Sequence, residues 1–378
     1  MTSAPFSEIT IVGLGLLGSS LAEVIRKRFP VTRILGVSSP TTLAKALDAK
    51  IIDAGFSYAD LHQAIEKTDL IILCTPIAHI QEILKGWISN TPALRLGCIV
   101  TDVGSTKSEI CALAQNVFAK TPEVYFIGSH PMAGSEKTGI EARDAHLFEN
   151  ASWVLCPPEN VAEDIVAKLQ AFVEVLGART TRMQAAEHDR IAAHVSHLPQ
   201  IISTALASFI GEQDSVVENC LQIAGGGFRD MTRIAASSYA MWEPIIKTNR
   251  NEVLSVLNKY REHLAKLEAA VKEIDQSNQS DFKTYFQEGN ALRSRLTVQK
   301  KGFSAALTEI LVDLQDAPGT LLRVLQPLAE KGLNVLDVEI LKVREGEEGT
   351  LMLAFKKQHE AHMAIDYLMQ KGFSARLR

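Results

Sequence analysis

Ile9-Thr10-Ile11-Val12-Gly13-Leu14-Gly15-Leu16-Leu17-Gly18 is an apolar strand running into G-x-G-x-x-G, with an amphipathic stretch from Ser19 to Arg28 behind it. The glycine spacing has a physical reading. Gly13 permits the tight turn after the strand. Gly15 lacks the Cβ that would hold a pyrophosphate away from the backbone, and Gly18 lets the helix pack closely on the strand. Beside Leu16, the helix start offers free N–H groups and the positive end of a dipole to phosphates. Alone the pattern is common. Between a strand and a helix it predicts an α/β sheet that binds a dinucleotide, against the blander reading of a structural Gly-rich turn.

The next strand, Arg33 to Val37, carries the cofactor choice. NAD sites usually end that strand in Asp or Glu, bonded to the ribose 2′-OH. Here Ser38-Ser39-Pro40-Thr41-Thr42 follows, with hydroxyls and no carboxylate to repel a 2′-phosphate. Ser38 and Ser39 therefore favour NADP, with NAD possible, although the loop has no arginine and could be an ordinary polar turn. Leu70-Ile71-Ile72-Leu73-Cys74 is a continuous apolar run typical of a parallel strand buried on both faces. Thr75-Pro76 lies at its carboxyl end, where doubly wound sheets bind ligands.

Strand and helix patterns alternate to about residue 180, with further strands at Cys98–Asp102, Val124–Gly128 and Trp153–Cys156 and a helix from Ala162 to Leu176. From residue 186 only helical patterns remain, at Ala186–Gln213, Ser215–Gln222, Ala240–Ile274 and Asp281–Lys301, with Glu288–Phe303 as a polar linker. A helical region of this size exposes wide apolar faces unless it dimerises. Past Leu307 the order is strand, helix, strand, strand, helix, strand. The turns are Asp316-Ala317-Pro318-Gly319, Gly332-Leu333-Asn334 and the hairpin Glu345–Gly349. That is a ferredoxin-like βαββαβ arrangement. The domains expected are 1–185, 186–300 and 305–378.

Composition narrows the class. The net charge of −5 gives no electrostatic case for nucleic acid or an anionic membrane. No apolar run reaches the ~18 residues of a membrane span, and Met1-Thr2-Ser3-Ala4-Pro5 lacks the regions of a signal peptide. The five cysteines are dispersed without C-x-x-C, so neither a zinc site nor a disulfide framework is indicated. A cytoplasmic protein is expected.

Three segments carry candidate chemistry. Gly128-Ser129-His130-Pro131-Met132-Ala133-Gly134-Ser135-Glu136-Lys137-Thr138-Gly139 reads as an irregular loop after a strand, with His130 a natural general base. It could equally be a loop histidine satisfied by backbone. In Glu187-His188-Asp189-Arg190-Ile191-Ala192-Ala193-His194-Val195-Ser196-His197-Leu198-Pro199-Gln200, helical projection puts Asp189, Ser196 and Gln200 on one face over the small Ala193. His194 and His197 lack a third metal ligand, and no metal is expected. Gly225-Gly226-Gly227-Phe228-Arg229-Asp230-Met231-Thr232-Arg233-Ile234-Ala235 brings arginines suited to a carboxylate substrate, or to surface salt bridges.

These three motifs, in this order behind the glycine fingerprint, resemble the prephenate dehydrogenase family over about residues 8–300. The last ~70 residues, through Asp316-Ala317-Pro318-Gly319 and Gly332-Leu333-Asn334-Val335, resemble an ACT domain, a small-molecule sensing module. The resemblance implies a Rossmann domain, an all-α dimerisation domain and a ferredoxin-like ACT domain. It implies NAD(P)-dependent oxidative decarboxylation of prephenate in tyrosine biosynthesis, by a homodimer with tyrosine as effector. By match to the family motifs, His130 would accept the proton of the substrate's ring hydroxyl and Ser105 would orient both. Arg233 would grip a carboxylate, and Ser196, His197, Gln200 and Asp189 would line the pocket. Glu136 and Trp242 would shape its entrance, and Asp316, Pro318, Gly319 and Asn334 would contact the effector. Gln200 stands where some members carry His, and the Ser38 loop departs from NAD-type members. Arogenate, the amino analogue of prephenate, is the rival substrate. A non-catalytic amino-acid sensor is the rival class, opposed by the intact His130, Ser105 and Arg233.

Overall fold

The structure, a computed structural model, describes residues 4–119, 121, 123–134, 137–213, 216–273, 281–299, 307–314, 317–342 and 349–378. It divides into two compact units, residues 1–265 and 266–378.

The first unit is built on one sheet of β1 (Glu8–Val12), β2 (Arg33–Val37), β3 (Ala54–Phe56), β4 (Leu70–Leu73), β5 (Ile99–Asp102), β6 (Tyr125–Pro131), β7 (Ser152–Cys156) and β8 (Arg179–Arg182). The spatial order is β3-β2-β1-β4-β5-β6-β7-β8, parallel from β3 through to β6. Alternating side chains feed two cores. Ile9, Ile11, Leu70 and Ile72 pack with Phe6 and Phe172 on one face. Val12, Ile71, Leu73 and Val100 pack with Trp87 and Phe118 on the other. The strand order turns back between β1 and β4, so a crevice opens at their carboxyl ends, the usual ligand position in such sheets.

Strand β6 corrects one expectation. His130 was expected in a loop, but the strand continues through Pro131. Its first half pairs parallel with β5, and residues 128–131 pair antiparallel with β7, His130 opposite Val154. The sequence disguises this, because Gly128, Ser129 and Pro131 are poor strand residues. Strands β3 and β8 also escaped the sequence reading. One is only three residues, Ala-Gly-Phe, and the other is the polar Arg-Thr-Thr-Arg at the sheet edge.

The single helix expected over 186–213 is two helices, Ala185–Ala192 and Leu198–Gly211, joined by a π turn at Ala193–His197. Pro199 sits in the first turn of the second helix. It has no N–H to give to the preceding turn, and the wider turn accommodates that loss. The π turn delays the helix phase, so His197 rather than Ser196 takes the buried place between Asp189 and Gln200, and Ser196 is half-buried. The helix expected from Ala240 onward is interrupted at Asn249, giving Tyr239–Thr248 and Arg250–Lys272.

In the second unit, the helix Asp281–Gln299 occupies most of the segment read as a linker. Its residues are mainly exposed, so the polar sequence resembled a linker. Strands β9 (Thr308–Leu314), β10 (Asp337–Lys342), β11 (Gly349–Phe355) and β12 (Ala375–Leu377) form an antiparallel sheet in the order β10-β11-β9-β12. Helices Thr320–Glu330 and Gln358–Gln370 cover it. Val324, Leu328 and Leu368 pack on Ile310, Val312, Leu351, Leu353 and Phe355. The expected βαββαβ order is present; residues 345–348 of the expected hairpin turn lie outside the described residues. Among those described, no helix is long and apolar enough to cross a membrane.

A charged pair lies inside the first unit. Lys107 and Asp102 are fully buried, and the Lys107 ammonium bonds the Asp102 carboxylate and, at 2.8 Å, the Ser129 carbonyl. Removing one partner strands the other in a dry site. Lys107→Met is expected to lower the unfolding free energy in urea by about 3–5 kcal/mol. A loss under about 1 kcal/mol would mean that the pair does not hold this part of the fold.

Candidate active site

The nucleotide cradle follows from three glycines. Gly13 adopts φ +97°, and a Cβ there would lie 2.8–2.9 Å from Thr75 and the Cys74 carbonyl group. A Cβ on Gly18 would lie 1.9 Å from the Gly13 oxygen, so any other residue would drive the helix off the strand. Gly15, at the N-cap of helix Leu16–Arg28, faces open space. Across the crevice, Thr75 is buried and its hydroxyl has no partner among the described residues. A close-approach backbone, a helix N-terminus and an orphaned hydroxyl fit a bound pyrophosphate. Pro76 caps the helix that follows.

The end of β2 is less open than its hydroxyls suggested. Ser39 caps helix Pro40–Asp48 by accepting from the Thr42 N–H at 3.4 Å, and Ser38 is buried beside Tyr58.

Beyond the cradle, the carboxyl end of β5 organises the next shell of contacts. One Asp102 oxygen accepts from Gly104 N–H at 2.8 Å and the other from Ser129 N–H at 3.1 Å. The loop between them carries Ser105, half-buried, and is pinned on its far side by Thr106 to Thr248 at 2.8 Å. The Ser129 hydroxyl donates to the Asp102 carbonyl at 2.6 Å and accepts from Trp153 Nε1 at 3.0 Å. These bonds fix the backbone on which His130 stands.

His130 is the first of three linked groups. Its Nδ1 lies 2.9 Å from His188 Nε2, and His188 Nδ1 lies 2.8 Å from Asp189 Oδ1. The Asp189 carboxylate also accepts from the Lys107 and Ser108 N–H groups at 2.7 and 2.8 Å, at the start of helix Ser108–Phe118. Burial works to raise the Asp189 pKa, but bonds from His188, Ser108 and Lys107 hold it below its ordinary value. Burial, then His188, Lys107 and His197, hold His130 well below the ordinary 6.5. His130 is therefore a neutral ring at neutral pH, able to take a proton. The family resemblance sets His188 with Asp189, one to two turns before the pocket residues, but gives it no role. Its signal was the His-Asp pair, but its partner is 58 residues away in sequence and only the fold joins them.

Of the expected residues on the helical side, His197 reaches this cluster. His197 is buried, with its ring edge-on to Trp242 at 5.9 Å, and burial pushes its pKa down to about 4. The Gln200 amide donates to the Ile234 carbonyl at 2.9 Å, which draws the 233–236 turn alongside and places the exposed Arg233 next to it. Gln200 and Trp242 line a hollow of about 390 Å³ with Thr204, Ser237 and Tyr239, and Trp242 Nε1 is buried without a partner among the described residues. A roomier hollow of about 630 Å³ lies beside helix Ser108–Phe118. Its cysteines, Cys111 and Cys156, are pushed up to about 12 by burial, so they offer no thiolate.

In the second unit, Gly319 takes the left-handed conformation at φ +82° and starts helix Thr320–Glu330; Pro318 and Asn334 are exposed. Glu136 and Asp316 lie outside the described residues. No group of three metal-ligating side chains occurs among those described.

A cradle at the switch point of a parallel sheet, with a buried neutral histidine on a strand of the same sheet, is the apparatus of a dinucleotide-dependent dehydrogenase. The sequence matches the families described as "Prephenate dehydrogenase, nucleotide-binding domain" over residues 21–182, "Prephenate dehydrogenase, dimerization domain" over 184–288 and "ACT domain" over 308–363. It is 35% identical to the prephenate dehydrogenase of Lactococcus lactis over 364 residues, covering 96% of this chain and 97% of that one. The solved prephenate dehydrogenase of Aquifex aeolicus, in complex with hydroxyphenyl propionate and NAD+, is 29% identical with a TM-score of 0.68, over 77% of this chain and 98% of that one. Synechocystis arogenate dehydrogenase is 31% identical with a TM-score of 0.65, over 76% and 99%. The chain belongs to the prephenate dehydrogenase family.

If His188 orients the base, removing its ring should act on turnover. His188→Leu is expected to lower kcat by about 10²-fold or more with substrate KM and cofactor affinity little changed. Equal losses in all three would instead indicate a general packing defect.

Proposed function

We propose that this chain is a cytoplasmic, homodimeric prephenate dehydrogenase that converts prephenate to 4-hydroxyphenylpyruvate and CO2, prefers NADP+ and is inhibited by tyrosine. The observation that carries the reading is the buried His130–His188–Asp189 chain, whose first member stands on the same sheet as the cradle. Asp189, ionised, can only accept, so His188 donates from Nδ1. Where His188 donates from Nδ1 alone, its Nε2 receives the His130 Nδ1–H, which leaves the His130 Nε2 lone pair as the base.

Gly13, Gly15, Leu16, Gly18, Thr75 and Pro76 hold the dinucleotide, which supplies the hydride acceptor when bound. His130 Nε2 takes the ring hydroxyl proton as the carbon bearing it is oxidised, and Ser105 orients the hydroxyl. The C–CO2 bond then breaks, its electrons complete the aromatic ring, and the ring oxygen recovers a proton from His130. Arg233 pairs with a substrate carboxylate, while Ser196, His197, Gln200 and Trp242 shape the pocket and Glu136 its entrance. Prephenate is favoured over arogenate because an ammonium needs a carboxylate partner. Asp189, the nearby candidate, has its oxygens committed to His188, Lys107 and Ser108. NADP+ is favoured because no acid follows β2 and a helix N-terminus stands there. Tyrosine is assigned to the ACT domain, at the turn carrying Asp316, Pro318, Gly319 and Asn334.

Absorbance at about 340 nm, with prephenate and arogenate each run against NAD+ and NADP+, tests the reaction. The fastest pair should be prephenate with NADP+; turnover of arogenate alone, or a tenfold preference for NAD+, would overturn that part. The base must be neutral to act, and the fold depresses its pKa. The acidic limb of kcat/KM is therefore expected well below pH 6.5, with activity flat across that value. A midpoint at or above 6.5 would point to another base. Asn334→Ala in the full chain should weaken tyrosine inhibition while leaving kcat unchanged. Undiminished inhibition would place tyrosine in the catalytic pocket instead.

A further inference from the structure

Asn249 has no part in the chemistry above, yet it is 4% exposed and sits where the helical run breaks, at φ −122° and ψ 26°. Its amide nitrogen Nδ2 makes two contacts. It lies 2.7 Å from the main-chain oxygen of Asp189 and 3.2 Å from Nδ1 of His197. A carbonyl oxygen only accepts, so the first contact fixes which end of the Asn249 amide points inward. The same nitrogen then faces His197, and His197 Nδ1 must offer a lone pair to it. A neutral imidazole carries one proton, which leaves Nε2 to bear it.

We propose that Asn249 is a positioning residue that locks His197 as its Nε2–H tautomer, so that the ring presents a neutral hydrogen-bond donor to an oxygen of the anionic substrate. The identity of that substrate rests on the function proposed above; the tautomer does not. The burial that depresses His197, reinforced by His188 and opposed by Asp189, keeps the ring uncharged at neutral pH. Asn249 acts in the same direction, because a second N–H donor opposite Nδ1 disfavours a proton there. Asp189 thereby serves both histidines through different atoms. Its carboxylate orients His188 and through it His130, while its main-chain oxygen orients Asn249 and through it His197. The two rings end in complementary states, acceptor at His130 and donor at His197. A substrate that presents a hydroxyl to one and an oxygen acceptor to the other meets both needs.

The test reads ring protonation directly. The full chain, labelled with ¹⁵N in its histidine rings, is examined by long-range ¹H–¹⁵N NMR at about pH 7.5, with His197 assigned by its absence in His197→Gln. The expected pattern is a neutral ring protonated at Nε2. A ring protonated at Nδ1, or at both nitrogens, would overturn the proposal. In Asn249→Ala the Nδ1–H form should gain population, and kcat/KM should fall by roughly tenfold while cofactor affinity stays within about twofold. An unaltered His197 pattern in that variant would also overturn it. Should Asn249→Ala fail to fold, the wild-type spectrum decides alone. An enzyme that turns over neither prephenate nor arogenate but shows the Nε2–H ring would sink the functional reading and leave the tautomer assignment standing.

Discussion

The Asp189 carboxylate is the contact on which the catalytic part of the first unit depends. It projects from helix Ala185–Ala192 and accepts two N–H groups at the opening of helix Ser108–Phe118. Those N–H groups have no partner within their own helix, and an anion there is favoured by the helix dipole. One side chain thus closes the end of a helix from the sheet region and ties to it a helix from the all-α region. The same carboxylate orients His188. Removing it would leave buried donors unsatisfied on both sides, so the geometry of the base and the attachment of the two regions are one structural problem.

Much of this was legible from residue order. The glycine fingerprint fixes the cradle because its requirements are local: a turn, an open backbone, a close helix. The apolar strands β1, β4 and β5 and the βαββαβ order were readable for the same reason, since side-chain alternation and turn residues act over a few positions. His130 could be picked out as a base by residue type, but not placed on a strand, because the pairing that extends β6 comes from β7, more than twenty residues on. His188 and Asn249 were unreadable in a stricter sense. Their roles exist only through partners 58 and 52 residues distant, His130 and His197. The π turn defeated the projection of Ser196 because an ideal helix assumes a constant residue angle, and one proline changes it. At the Ser38 loop the sequence showed hydroxyls but not that the fold had already engaged them.

Around His130, the buried ionisable groups are matched or hydrogen-bonded within the fold. His130 and His197 are both neutral, the Lys107 ammonium is matched internally by Asp102, and Asp189 is surrounded by donors. The exposed Arg233 stands apart from these groups, on a short turn held to helix Leu198–Gly211 through Gln200. The charged Arg233 and the buried histidines are thereby carried on different elements.

The change of partners along β6 has a consequence for motion. A histidine in a loop loses conformational freedom each time a substrate orders it. His130 lies in a ladder, with neighbours bonded to β7 on one edge and to Asp102 on the other. Its backbone entropy is lost once, when the chain folds, and is not lost again in each catalytic cycle. The short helices and turns between residues 217 and 236, which carry Arg233, are by contrast mostly exposed. His130 thus stands on backbone whose order the sheet sets, and Arg233 on backbone that no strand holds.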